Sequence, residues 1–203
     1  MKTVVALYNT FTDAQQAVET IVTAGIARAD VSMVANDSSG DFKVYTGDYR
    51  EGDATASGAV GGAAVGGAIG LLAGLGALAI PGIGPVIAAG PLLSALVGAG
   101  VGAATGGLAG SLVDVGVSQE EAQYYSEGVR RGGTLVSVNA PDERANEIAH
   151  LLDHGGAVDV HERATDWRDR GWTGYDEDAQ PYTTDLVQEE ANYWRMRGGN
   201  PNR

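Results

Sequence analysis

The stretch TLVSVNAPDERANEIAHLLDHGGAVDVHE, Thr134 to Glu162, carries the fold. TLVSVNA is apolar and rich in β-branched residues, the composition of a strand. Pro141 stands near a helix start, Ala145, Ile148, Ala149 and Leu152 recur at helical spacing, and Gly155 stops the run. AVDVHE, from Ala157, alternates as a second strand.

The other end of the chain repeats this unit. TVVALY, Thr3 to Tyr8, reads as a strand; Thr12 or Asp13 is placed to cap a helix carrying Ala14, Ala17, Val18, Ile21 and Val22 up to Gly25; VSMVA, Val31 to Ala35, is the next strand. Two such units pair into a four-stranded sheet with both helices on one face. The expected class is therefore α+β, a ferredoxin-like split βαβ sheet domain interrupted by a long glycine-zipper helical hairpin. Ahead of the third strand, SQEEAQYYSEGVRRGG opens with Ser118 and Glu121 in capping-box spacing and closes on Arg130 and Arg131, which suits a helix macrodipole. Residues 41–53 are polar and turn-rich and read as linker, with room for a short strand at Phe42 to Tyr45.

The interruption is the outlier in composition. Of 203 residues 31 are glycine, and the 60 residues from 54 to 113 hold no charged side chain. Within them Gly58, Gly62, Gly66, Gly70 and Gly74, then Gly90, Ser94, Gly98, Gly102, Gly106 and Gly110, repeat with a period of four. Each glycine costs about 1 kcal/mol in a helix interior, so a stripe of them points to close packing against another helix. Pro81, Gly82, Gly84 and Pro85 break the run and read as the turn between two antiparallel helices. Each arm, about 25 residues or ~38 Å, exceeds the roughly 30 Å hydrocarbon core of a bilayer. Yet no basic flank sets a topology. Three placements follow: in a membrane, in a homo-oligomer, or on the chain's own sheet. Leu71, Leu72, Leu75, Leu78, Ile80, Ile83, Val86, Ile87, Leu92, Leu93 and Leu96 near the tip need burial in any of them.

The domain reading is 1–52 as the first half of the α+β domain with its linker, 53–114 as the hairpin, 115–163 as the second half, and 164–203 as an aromatic-rich C-terminal arm. That arm holds all three tryptophans; Trp167, Trp172, Tyr175, Tyr182 and Trp194 are expected to anchor it on its own domain or on the next subunit, with a helix from about Thr184 to Met196.

A formal charge of −13 argues against nucleic acid as a partner. No cysteine is present, which excludes disulfides and thiolate chemistry. The apolar run after Lys2 ends at Tyr8 without a small-residue cleavage site, so the expected location is the cytoplasm or the cytoplasmic face of the membrane.

Together with these elements, VSQEEAQYYSEGVRRGGTLVSV, Val117 to Val138, resembles the bacterial general-stress or heat-induced stress proteins, the general stress protein 17M-like family. The resemblance spans about residues 3 to 163, and its most specific part is the acidic helix with Glu120, Glu121, Tyr124 and Tyr125. It implies stress association and membrane or self-association, and supplies no catalytic residues.

Chemistry-bearing patterns are sparse. Glu147, His150 and His154 share a helical face, read as ordinary surface, and no metal is expected. No phosphate loop, nucleophile elbow or zinc-protease motif occurs, and no cofactor is expected. Glu120 with Glu121 and Glu189 with Glu190 are sequence neighbours that diverge on a helix, read as solvated. The expected function is a non-enzymatic, stress-associated protein that self-assembles or inserts in a membrane through its hairpin. A soluble binding module for an apolar small molecule such as a lipid or pigment is the alternative.

Overall fold

The computed structural model describes residues 1–39, 76–98 and 107–197. In chain order they form β1 (Lys2–Tyr8), α1 (Phe11–Thr23), β2 (Val31–Asn36), β3 (Gly76–Ile80), β4 (Gly84–Ala89), α2 (Pro91–Gly98) and α3 (Gly107–Asp114). Then follow α4 (Gln119–Arg130), β5 (Thr134–Ala140), α5 (Ala145–His154), α6 (Val160–Asp169) and α7 (Thr184–Met196). The class is α+β. One five-stranded sheet has the order β1-β5-β2-β4-β3, with every neighbouring pair antiparallel.

Alternation along the strands sorts their side chains onto two faces. On one face Ala6, Tyr8, Met33, Val136 and Val138 pack against Ala14, Ala17, Val18 and Ile21 of α1 and Ile148 and Leu152 of α5. The Tyr8 hydroxyl donates to the Leu152 carbonyl at 3.0 Å, tying strand to helix. α1 starts two or three residues earlier than its sequence suggests: Thr10 is the N-cap, its hydroxyl accepting from the Asp13 amide at 3.1 Å.

Both βα units are present, but the second lacks its closing strand. Val158 makes a single antiparallel bridge to Leu7, and the chain turns into α6 at Val160. Asp159 is the reason, since its carboxylate caps the new helix by accepting from the amides of His161 and Glu162.

The expected helical hairpin gives way to a β-hairpin in its centre. Pro81 and Gly82, with Ile83 N–H donating to Ile80 C=O at 3.1 Å, make the Pro-Gly pattern of a type II turn between β3 and β4. β-Branched Ile80, Ile83, Val86 and Ile87 around that turn favour extended chain over helix. So Pro81, Gly82, Gly84 and Pro85 do form a turn, though one that joins strands. Gly90, assigned to the helical stripe, lies instead in the bend from β4 to α2 with φ +81°, and a Cβ there would stand 2.2 Å from the Val31 carbonyl. Ser94 and Gly98 are in α2 and Gly110 is in α3, two separate eight-residue helices that touch. Gly58, Gly62, Gly66, Gly70, Gly74, Gly102 and Gly106 lie outside the described residues, as do Phe42 to Tyr45.

Described apolar side chains of the tip, together with Leu108 and Leu112 of α3, fill the second face of the sheet; Leu71, Leu72 and Leu75 lie outside the described residues. Ile80, Ile83, Val86, Leu92, Leu108 and Leu112 are buried with Leu7, Val34 and Leu135, under Tyr124 and Val129 of α4 and Val160 and Trp167 of α6. The result is a sheet between two helical layers. Among the described residues no helix is long and apolar enough to cross a membrane.

Candidate functional site

The densest polar cluster lies where the C-terminal arm meets α4 and α6. Ser118 caps α4, its hydroxyl accepting from the Glu121 amide at 3.2 Å, and this register aims Glu127, about two and a half turns later near the helix end, inward. Glu127 is fully buried and accepts from Arg131 Nε at 2.6 Å and Arg130 at 3.3 Å. Arg131 extends further, to Glu190 of α7 at 3.4 Å.

Glu190 is the centre of the joint. Its Oε1 accepts from Arg170 at 2.8 Å and from the indole N–H groups of Trp167 and Trp194 at 2.9 Å each; its Oε2 accepts from Arg170 at 2.9 Å as well as from Arg131. Burial opposes ionisation of this carboxyl, yet the hydrogen bonds from Arg170, Trp194 and Trp167 and the Arg131 charge outweigh it and hold the pKa at about 2. The same pairing raises the Arg170 pKa above its ordinary value.

Aromatic rings and guanidinium groups interleave around the pair. Arg163 lies 3.5 Å over Trp194, Arg131 is 4.9 Å over Trp167 and 5.3 Å over Tyr182, and Arg130 is 4.8 Å over Tyr182. Asp166 ties down the outer rim, accepting from Arg170 at 2.8 Å, Tyr193 at 2.6 Å and Arg197 at 3.1 Å.

Of the five aromatic anchors, Trp167 and Trp194 are buried in this joint, Trp172 packs edge-on to Trp167, and Tyr182 covers Arg130 and Arg131. Tyr175 stands apart. Its hydroxyl donates to the Pro81 carbonyl at 3.1 Å, where the arm crosses the β3–β4 turn. A Cβ on Gly82 would come within 2.8 Å of Asp176 and Glu177, and one on Gly84 within 2.8 Å of Pro181, so the turn glycines make room for the arm. The arm thus docks on its own domain, and its helix occupies Thr184–Met196.

Sequence reading missed the charged half of the joint. Glu190 was assigned to solvent with Glu189, but it is buried, because Val187, Glu190 and Trp194 share one face of α7. That spacing was the available signal. Glu147, by contrast, is held by Arg144 through two bonds of 2.9 Å, and the His154 ring nitrogen Nδ1 lies 2.7 Å from the His150 carbonyl.

A small cavity remains between Asn9, Arg131, Arg163, Trp167, Glu190 and Trp194, of about 40 Å³. Small-molecule sites run to roughly 300–1,000 Å³, so this one gives no support to a pocket for a lipid or pigment. What the arrangement does is lock one helix to another through a buried, fully bonded carboxylate. Comparison with family models, with curated proteins and with solved structures finds no match.

Proposed function

We propose that this chain is a non-enzymatic, self-associating protein of the bacterial general-stress type, in the cytoplasm or at the cytoplasmic face of a membrane, whose glycine-rich segments contact further copies of the chain or a lipid surface. In this reading the folded body is the split βαβ, ferredoxin-like arrangement. Its support is that β5 lies between parallel β1 and β2 while Val158 touches the outer side of β1.

The observation that carries the proposal is where the glycine-rich segments rejoin the body. Gly76, which ends the first, starts the edge strand β3 and would place a Cβ 3.1 Å from Leu93 of α2. Gly107, which ends the second, packs 3.3 Å by the same measure from Ile80 at the other end of β3. Both uncharged segments therefore return beside one sheet edge, and the body already buries its own apolar tip. Small-residue spacing of four then has a use left, close contact with another helix.

Replacing Gly66 and Gly102 together with leucine tests this. Light scattering on detergent-free protein, alongside membrane fractionation, is expected to show an oligomer or a membrane-bound pool for the parent chain and loss of either in the variant. A parent chain that is monomeric and absent from membranes, or a variant behaving like its parent, sinks the proposal.

A further inference from the structure

β3 is the last strand of the order β1-β5-β2-β4-β3, and among the described residues no strand pairs with its outer edge. The alternation of an antiparallel ladder fixes which groups that edge offers. The Pro85 carbonyl accepts from the Asp37 amide at 2.8 Å, on the β2 side of β4. Ala79, opposite Pro85, therefore takes no ladder bond from β4, and its N–H and C=O point outward; so do those of Ala77, two residues earlier. Exposed edges are usually blunted by a charge or a proline, yet Gly76–Ile80 holds neither, and Ala79 is exposed. The neighbouring α2 and α3 carry no charge before Asp114, on a chain of net charge −13.

We propose that β3 pairs with β3 of a second copy of this chain, antiparallel about a twofold axis at Leu78, joining the two sheets into one. The inference rests on the self-association proposed above and names its surface. Hydrogen bonding sets the register. With Leu78 opposite its own copy, Ala77 faces Ala79 of the second copy and Ala79 faces Ala77, so the outward-pointing groups exchange about four hydrogen bonds. Charge selects the contact, because bodies of net charge −13 repel one another and this edge is uncharged. The places where the glycine-rich segments end agree with it. Gly76 ends the first segment, and Gly107, which ends the second, packs on Ile80. In the paired register Gly76 stands opposite Ile80 of the second copy, so the first segment of each chain returns beside the second segment of the other.

The chain has no cysteine, so a single introduced thiol reports this register without interference. Leu78 and its copy form a non-hydrogen-bonded pair with Cα atoms about 4.5 Å apart, within the roughly 4.4–6.8 Å that a disulfide spans. Ala79 and its copy are diagonal neighbours at about 7–8 Å, beyond that span. Mild oxidation of the full chain carrying Leu78→Cys, in whichever fraction holds the protein, is expected to give a disulfide-linked dimer, and Ala79→Cys little or none. Ala79→Pro removes one outward N–H from each copy and leaves the β4 ladder whole; it is expected to raise the dissociation constant about tenfold in light scattering on dilution. No dimer from Leu78→Cys, equal dimer from both cysteines, or undiminished association of Ala79→Pro would overturn the pairing. Gly66→Leu with Gly102→Leu keeps the two readings apart. Association lost there but kept in Ala79→Pro removes the edge contact alone, and the reverse result supports the edge and removes the glycine contact. If Ala79→Pro does not fold, the two cysteine variants decide.

Discussion

Glu190 shows how a single carboxylate organises the arm. Its pKa is about 2 in the folded chain and near its ordinary 4.5 when unfolded, so ionised Glu190 stabilises the fold. The sign follows from that depression: the contribution is complete above about pH 4.5 and is lost as pH falls towards about 2, amounting to about 3 kcal/mol over the interval. Tryptophan emission is the natural probe, because two indoles donate to this carboxylate. Acid titration in moderate urea is expected to shift emission across that window, and Glu190→Gln should flatten the dependence; an unaltered acid limb in the variant would remove Glu190 from this role. Little of this was visible in the chain alone. Arg170 is 20 residues away and Arg131 is 59 residues away, and only folding brings such donors to one carboxylate.

Among the described secondary-structure elements, those with strong periodicity were legible and the centre of the glycine-rich insertion, Gly76 to Gly90, was not. β5, α4 and α7 emerge where apolar spacing and caps place them, because β5 is a β-branched run buried on both faces and the two helices each turn one face to the core and start at a Ser or Thr cap. At Gly90 a period-four pattern coincided with a residue needed for another reason. The bend requires positive φ, and the Val31 carbonyl leaves no room for a methyl group. The two readings predict opposite signs for Gly90→Ala. In a helix interior the change would stabilise by about 1 kcal/mol; in this bend it is expected to destabilise by about 2 kcal/mol or more, from the left-handed backbone and the contact together. Urea denaturation of the purified variant measures the sign directly, and a stabilised protein would restore the helical reading at this position.

The described residues close the fold on themselves, and in the proposed function the glycine-rich segments are the ones that meet something else. α1 and α5 cover one face of the sheet, and the other face is covered by the insertion's apolar tip, then α4, α6 and the arm, which crosses the β3–β4 turn through Tyr175 and ends on Glu190. The arm therefore belongs to its own chain's core, with Trp167 only 2% exposed beneath α7. Assembly, in the proposed function, belongs to the glycine-rich segments. The two roles separate experimentally in a chain shortened after Arg170. Loss of α7 strips the Trp167 indole, Arg131 and Arg170 of their shared carboxylate, and removing a partner from such a buried pair costs about 3–5 kcal/mol. The shortened chain is expected to melt roughly 10 °C lower and to bind a hydrophobic dye, while its subunit number by light scattering stays that of the full chain. A drop in subunit number with unchanged melting would reverse the assignment, making the arm the contact between copies and the glycine-rich segments incidental to it.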